Sequence, residues 1–105
     1  MTERKRIYIS GPMDGVPDYA EQFAITAQML EDLGYEVVNP AAVSGVLPPN
    51  LPWVTYIDID LALLKACNCI YMMPAWVRSK GAVIERTYAE KLGLKIYYHN
   101  NQSEL

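Results

Sequence analysis

The stretch CIYMM, residues 69–73, decides the fold of this chain. A continuous apolar run of this length is expected of a central parallel strand, whose side chains are buried on both faces. Pro74 follows at once and closes the run, because proline lacks the N–H that a ladder in the middle of a sheet requires. We therefore predict a parallel sheet with residues 69–73 near its centre.

The segments around this run alternate between strand and helix patterns. Strand patterns occupy residues 6–10, 35–38 and 94–98, and helix patterns occupy residues 18–34, 53–66 and 79–93. This alternation implies a parallel sheet with helices on both faces. The predicted fold class is α/β, a three-layer sandwich with a four- to five-stranded parallel sheet.

The ends of the predicted helices carry recognisable residues. Asp18 with Glu21 offers a capping box for the first helix, and Gly34 ends that helix. We expect Ser79 to be the N-cap of the third helix and Gly93 to end it.

Ligands of open parallel sheets bind outside the carboxyl ends of the strands. The loops after Ser10, Val38, Met73 and Tyr98 are therefore the candidate ligand loops. The second of them, residues 39–52, is too rich in proline to be regular and has the length usually kept for lids or binding loops.

Length and composition restrict the class of protein. A chain of 105 residues is predicted to form one domain, residues 1–105, and it is short enough that a second copy could complete its pocket, as a homodimer or a higher homo-oligomer. The hydrophobic content of 51% argues against disorder, and the net charge of -3 lacks the basic footprint of a nucleic-acid binder. The predicted partner is a small molecule.

No apolar run approaches the roughly 20 residues that span a bilayer, and residues 1–6 lead into the first strand without the apolar stretch of a signal peptide. We therefore predict no membrane partner and a cytoplasmic location. Cys67 and Cys69 are poorly placed to bridge each other, so we expect reduced, packed thiols. His99 is the single histidine, and no metal site is predicted.

Two acidic residues stand where apolar ones are expected. Glu85 shares a helical stripe with Gly81, Tyr88 and Leu92, so it faces the sheet. Burying an unpaired carboxylate costs several kcal/mol, and such positions persist mainly where chemistry or a tight network uses them. The alternative interpretation is an acid that complements a helix dipole or caps a loop.

The second acid lies on the preceding helix. The apolar stripe of that helix contains Trp53, Ile57 and Leu61, with Asp60 at its edge, whereas Asp58 points well away from it. Two carboxyl groups that lean inward together indicate a site.

The loop after the first strand is the first candidate binding segment. Ser10, Gly11, Met13 and Gly15 belong to the sequence YISGPMDG, residues 8–15, whose glycines let backbone approach a ligand. It lacks the Gly-Lys-Ser/Thr of a P-loop, so a plain strand-to-helix turn is the alternative.

The second candidate segment, residues 74–81, opens the third helix. The N-terminal amides of that helix, with Ser79, Lys80 and Gly81, would suit a phosphate or a sugar hydroxyl, although capping alone is an equal alternative. Trp53 and Trp76 could stack on a flat base, or they could be core or subunit contacts.

Taken together, these segments resemble the nucleoside 2-deoxyribosyltransferase superfamily. The matching segments are Tyr8 to Gly15, Asn39-Pro40, Asp60-Leu61 with Leu64, the strand to Met73, and Ser79 to Glu85 followed by Ala89 and Gly93. The spacing Ser-x-Gly-x-x-x-Glu is the most specific part. Within the superfamily the chain looks closest to the DUF4406 group, and the resemblance covers nearly the whole chain.

The resemblance implies a flavodoxin- or Rossmann-like fold and cleavage or transfer at the N-glycosidic bond of a 2'-deoxynucleoside or its 5'-monophosphate. It implies that Glu85 is the nucleophile that forms a covalent glutamyl-deoxyribosyl intermediate, that Asp60 assists proton transfer, and that Tyr8 orients the nucleophile. It also places Asn39 in the substrate site. Neither a metal nor an organic cofactor is implied.

The chain departs from its relatives in the first loop, where Pro12 replaces a serine that binds phosphate. Arg78, Ser79 and Lys80 could compensate for that loss. Relatives also borrow a residue near the C-terminus of a partner subunit, and Asn100 or Asn101 could serve here.

Two other functions stay open at this point. The first is a nucleotide-binding module without turnover, which would sense or sequester its ligand in the same pocket. Retention of both Glu85 and Asp60 favours catalysis over this module, because binding alone needs neither. The second is an oligomeric structural domain, in which Arg78 or Lys80 would neutralise Glu85.

Overall fold

A computed structural model describes residues 4–105 of the chain. Residues 1–3, part of the segment compared above with a signal peptide, lie outside the described residues. Four parallel strands form one sheet: β1 (Arg6–Ser10), β2 (Glu36–Val38), β3 (Cys69–Met72) and β4 (Lys95–Tyr98). Their order across the sheet is β2-β1-β3-β4.

Four α-helices connect the strands. They are α1 (Tyr19–Asp32), α2 (Pro40–Ser44), α3 (Trp53–Lys65) and α4 (Lys80–Lys91), with short 3-10 turns at Trp76–Arg78 and Gln102–Glu104. Within residues 4–105, no helix is long and apolar enough to cross a membrane.

The side-chain alternation of the strands divides the core between the two faces of the sheet. Ile7 and Ile9 of β1 pack with Phe23, Ala27 and Leu30 of α1 on one face. On the other face, a second cluster joins the sheet to α3 and α4, and it contains Tyr8, Leu64, Ile70, Met72, Ala82 and Ala89. The predicted α/β fold, with a parallel sheet between two helical layers, is confirmed.

Most element boundaries agree with the sequence prediction. The first strand has the predicted bounds, whereas β2, β3 and β4 are each one residue shorter than predicted. Gly34 and Gly93 follow the ends of α1 and α4 with φ of 100° and 74°, the left-handed region that glycine tolerates best. Cys67 and Cys69 are free and buried, as predicted.

Two local predictions were wrong. The connection 39–52 contains the helix α2, because Asn39 caps its own following turn and Pro40 occupies the first helical position, where proline is favoured. The capping box at Asp18 does not form, since the Asp18 side chain makes no capping hydrogen bond. It accepts instead from the Gln22 side chain at 2.9 Å.

The strand order creates a topological switch point in the sheet. The chain continues from β1 to β2 on one side and resumes at β3 on the other, so β1 and β3 are neighbours whose connections lead in opposite directions. Ser10 pairs with Met72 at the carboxyl ends of these two strands. Ligands of doubly wound sheets bind at such a switch point.

Candidate active site

Glu85 is a buried carboxyl on the face of α4 that packs against the sheet. Its side chain is 5% exposed, and its neighbours along the same face, Ala82 and Ala89, are fully packed. The small alanine side chains bring α4 close to the sheet, so Glu85 reaches the strands. The prediction that Glu85 points inward is confirmed.

Both oxygens of Glu85 accept hydrogen bonds from hydroxyl groups of β1. The Tyr8 hydroxyl donates to Oε2 at 2.8 Å, and Ser10 Oγ donates to Oε1 at 2.6 Å. Tyr8 and Ser10 are two residues apart on one strand, so their side chains share the face that α3 and α4 cover. Burial and the nearby carboxyl group raise the pKa of Tyr8 well above its usual range, which keeps its hydroxyl a donor.

Asp60 on α3 is the second acid of the site. Burial raises its pKa, and a hydrogen-bonding interaction with Glu85 lowers it in part. Burial also raises the pKa of Glu85, the hydrogen bond from Ser10 opposes that rise, and the charge of Asp60 adds to it. Because two close carboxyl groups resist ionising together, the pair holds one proton at neutral pH.

Helices α3 and α4 run side by side, with their N-terminal ends at the carboxyl edge of the sheet. Where the two helices begin, Lys80 Nζ lies 4.9 Å from the centroid of the Trp53 ring. One turn further along α3, Ile57 lies against Gly81 of α4, since a Cβ at Gly81 would lie 3.4 Å from Ile57 Cδ1. Trp53 is 43% exposed, so the apolar stripe predicted for α3 leaves its first member at the surface.

The structure uses two of the predicted binding residues as helix caps. Ser79 Oγ accepts from the backbone N–H of Ala82 at 3.1 Å and opens α4, as predicted. Asn39 Oδ1 accepts from the backbone N–H of Ala41 at 3.0 Å and opens α2. Both residues lie at the carboxyl edge of the sheet, which is also the edge where ligands of parallel sheets bind.

The residues of the first loop divide between the two sides of the molecule. Gly11 is buried against Met73, since a Cβ on Gly11 would lie 2.8 Å from the Met73 Cβ. Met13 packs partly buried against the α1-side core, not the face that holds Glu85. Gly15 is exposed with φ 76° and turns the loop.

The cluster that surrounds Trp76 was not among the sequence predictions. The Arg86 guanidinium carbon lies 5.6 Å from the Trp76 ring centroid and 5.9 Å from the Tyr98 ring centroid. Its Nε donates to the Tyr98 hydroxyl at 3.0 Å. Since Tyr98 ends β4, this cluster joins the loop after β3 to the edge strand. No short-range pattern linked residues 76, 86 and 98, because three different elements supply them.

No lysine or arginine neutralises Glu85 within the part of the chain that the structure describes. The ion pairs of residues 4–105 are Arg6 with Glu36 and Arg86 with Glu90. Lys80 lies over Trp53, and Arg78 pairs with no acid in this set. The interpretation of Glu85 as half of a structural ion pair is therefore excluded for these residues.

Residues 4–105 contain no cluster of three or more His, Cys, Asp or Glu side chains that could hold a metal ion.

The arrangement suits chemistry that needs one ionised and one protonated carboxyl group. Glu85 has its oxygens oriented by two neutral hydroxyls, and Asp60 lies close enough to share its proton. An ionised carboxylate can act as a nucleophile or stabilise a cation, and a nearby acid can protonate a leaving group. Glu85 lies beside the β1/β3 switch point, which is where ligands of doubly wound sheets bind.

Two solved structures share the fold of this chain. A 2-desoxiribosyltransferase from Leishmania mexicana superposes with a TM-score of 0.66 and 24% identity, covering 90% of this chain and 63% of that chain. The CMP N-glycosidase BcmB from Clostridium botulinum superposes with a TM-score of 0.57 and 24% identity, covering 90% and 67%. This chain therefore spans about two thirds of the length of these enzymes.

Sequence comparison places the chain more narrowly. A search of curated proteins returned no match. Residues 5–98 match the family described as "Domain of unknown function (DUF4406)". The matched range contains all four strands and α1 to α4. The chain belongs to the DUF4406 family, and it shares its fold with the two solved structures described above.

Proposed function

We propose that this protein cleaves or exchanges the N-glycosidic bond of a 2'-deoxynucleoside or of its 5'-monophosphate. The observation that carries the proposal is a buried carboxylate, Glu85, held by two hydroxyl groups and paired with a second acid rather than with a cation. The names of the two similar structures, a deoxyribosyltransferase and a CMP N-glycosidase, support the same reaction class.

In the first step, an oxygen of Glu85 attacks the anomeric carbon of the deoxyribosyl group. The bond from that carbon to the base nitrogen breaks, and its electron pair leaves with the base through an oxocarbenium-like transition state. The product is an ester between Glu85 and the sugar. Tyr8 orients the attacking carboxylate.

Asp60 supplies the proton that the departing base requires. Its raised pKa, caused by burial, keeps it protonated at a pH where an exposed aspartate would be ionised. In the second step, water attacks the ester and gives hydrolysis, or a second base attacks and gives transfer. Two displacements at the same carbon retain its configuration.

The substrate would lie at the carboxyl ends of β1 and β3, close to Gly11 and Ser79. Trp53 and Trp76 offer flat faces to a base, and Lys80 is a cation within reach of a 5'-phosphate. Pro12 has no N–H to donate to that phosphate.

Asn39 and Gly81 complete the binding residues of the proposal. Gly15 would contribute through the turn it allows, and Met13, whose side chain packs on the α1 side, would contact a substrate only through its backbone. We further propose a cytoplasmic setting and a homo-oligomeric enzyme, in which a partner copy completes the pocket.

The test is turnover of a panel of 2'-deoxynucleosides and their 5'-monophosphates, with and without a free acceptor base, followed by chromatography. Wild-type protein should release or exchange the base. Glu85→Gln should lose turnover by about 10³-fold or more, since the covalent step has no nucleophile. Glu90→Gln, an exposed acid on the same helix, is the matched control and should stay active.

Asp60→Asn has its own control in Asp58→Asn, because Asp58 is exposed on the same helix. Only the Asp60 variant should slow base release, and the loss should be greatest for bases that leave poorly. Binding of a nucleotide without any turnover, detected as ligand-dependent thermal stabilisation, would contradict the enzyme and favour the non-catalytic binding module.

A further inference from the structure

We infer that Ser10 is a positioning residue for the proposed reaction, whose hydroxyl favours the ionised form of Glu85 and fixes the plane of its carboxyl group. The role of Ser10 in the reaction rests on the proposed function, whereas the hydrogen bond between Ser10 and Glu85 is independent of it. The sequence pattern predicted Ser10 to be a substrate-binding residue. In the structure its hydroxyl is turned to Glu85, and the side chain is fully buried at 0% exposure.

The two hydrogen bonds that Glu85 accepts differ in length. Ser10 Oγ lies 2.6 Å from Glu85 Oε1, and the Tyr8 oxygen lies 2.8 Å from Oε2. Both hydrogen bonds end on the same carboxyl group. The shorter one, from Ser10, lies within the range of about 2.5–2.7 Å that is typical of a hydroxyl donating to an ionised carboxylate.

Few other groups near Glu85 favour its ionised form, so the hydrogen bond from Ser10 has a large effect on the pKa of Glu85. From β1, Tyr8 and Ser10 face Glu85; from α3, Asp60 faces it with a charge of the same sign. No arginine or lysine of residues 4–105 forms an ion pair with it. Burial and Asp60 raise the pKa of Glu85, and of the two hydrogen bonds that lower it, the one from Ser10 is the stronger.

Removing the Ser10 hydroxyl therefore shifts the shared proton further toward Glu85. Catalysis needs Glu85 ionised and Asp60 protonated. Without Ser10 the proton moves toward Glu85, so the productive arrangement becomes rarer wherever the pair holds a proton. At high pH the pair has lost its protons in both variants, and the difference between them disappears.

The kinetic test compares kcat/KM against pH for wild type, Ser10→Ala and Ser10→Thr. Ser10→Ala should lose about 10- to 100-fold at neutral and acidic pH, the equivalent of one charge-assisted hydrogen bond, and the loss should shrink as the pH rises. Ser10→Thr restores a hydroxyl and should recover the wild-type profile. A loss that is uniform across pH would overturn the inference.

The second readout needs no turnover. In protein labelled with ¹³C at the glutamate carboxyl carbons, Glu85 is the resonance missing from Glu85→Gln. Its midpoint should move up by about one to two pH units in Ser10→Ala, and also in the near-isosteric Ser10→Cys, with a smaller move in Tyr8→Phe. An unchanged midpoint in folded Ser10→Ala or Ser10→Cys would overturn the inference. A moved midpoint without turnover in wild type would uphold the role of Ser10 in ionisation and reject the reaction.

Discussion

Glu85 combines properties that a purely structural glutamate would not need. It is buried, and each of its oxygens accepts from a hydroxyl, so its carboxylate plane is fixed. Its other neighbour is an acid, Asp60, which makes its ionisation unfavourable. Such an arrangement lowers stability at neutral pH, and groups with strongly raised pKa values cluster at functional sites.

The raised pKa of Glu85 predicts how stability depends on pH. The folded protein binds a proton at Glu85 with a pKa of about 8, against 4.5 in its ordinary state. Between these values the native state holds more protons than the unfolded state, so the free energy of unfolding falls as pH rises. Asp60, whose pKa is also raised, acts in the same direction.

We expect urea unfolding to show a loss on the order of a few kcal/mol between about pH 5 and about pH 8. Glu85→Gln should flatten most of this dependence, and Asp58→Asn should leave it unchanged. Stability that rises with pH over this range in wild type, and not in Glu85→Gln, would contradict the assigned burial.

Ala75 is the one non-glycine residue with positive φ, 64°, among residues 4–105. It lies between Pro74 and Trp76, where the chain leaves β3. The left-handed conformation costs an alanine about 1 kcal/mol or more, and glycine avoids that cost. We predict that Ala75→Gly stabilises the protein by up to about 1 kcal/mol in denaturant unfolding. Destabilisation by the same amount would show that the Ala75 methyl packs usefully.

At the scale of elements, the ends of β1 and β3 are in direct contact. Met73 N–H donates to the Ser10 carbonyl at 2.8 Å, and Gly11 lies directly against the Met73 side chain. This contact lies at the carboxyl edge of the sheet, where the substrate is proposed to bind.

Gly11→Ala should therefore destabilise the protein. The new Cβ would lie 2.8 Å from the Met73 Cβ, an atom next to the backbone that cannot rotate away. Overpacking of this kind costs about 1–3 kcal/mol. Urea unfolding should show the loss, and Gly15→Ala, which has open space but positive φ, provides a strain-only comparison. A loss at Gly11 no larger than at Gly15 would mean that β1 and β3 separate easily.

Element types were predictable because each carries its period within a short segment. The inward direction of Glu85 followed from one helical stripe, and the period of β1 could also have placed Tyr8 and Ser10 on one face. The contact between Ser10 and Glu85 was not predictable, because 75 residues separate them and strand order decides whether they meet. The cluster of Arg86, Trp76 and Tyr98 was not predictable for the same reason, since its members come from three different elements. Helix α2 was missed because a proline at its first position resembled a loop signal.

At the scale of the whole molecule, the proposed site exists only when β1, α3 and α4 are assembled. Around it, at the carboxyl edge, apolar side chains are left exposed: Val46 at 83%, Val54 at 58% and Val77 at 65%. Exposed apolar side chains of this kind are candidates for contacts between subunits.

These exposed residues predict that the protein forms a homodimer or a higher homo-oligomer. Light scattering after size exclusion should give at least twice the chain mass of 11.9 kDa. Val54→Lys combined with Val77→Lys should shift the protein toward monomer. Ile25→Lys, at an exposed apolar position on α1, is the control and should leave the assembly unchanged. A wild-type monomer at all concentrations would contradict the prediction.

The most direct test of the central claim is mass spectrometry of protein quenched during turnover of a 2'-deoxynucleoside or 5'-monophosphate, followed by peptide mapping. The account predicts a deoxyribosyl group, with its phosphate if the substrate carries one, on the peptide that contains Glu85. The adduct should be absent from Glu85→Gln and should disappear when an acceptor base is added. Base release without any adduct on that peptide, under conditions that preserve esters, or an adduct on another residue, would contradict the covalent role of Glu85.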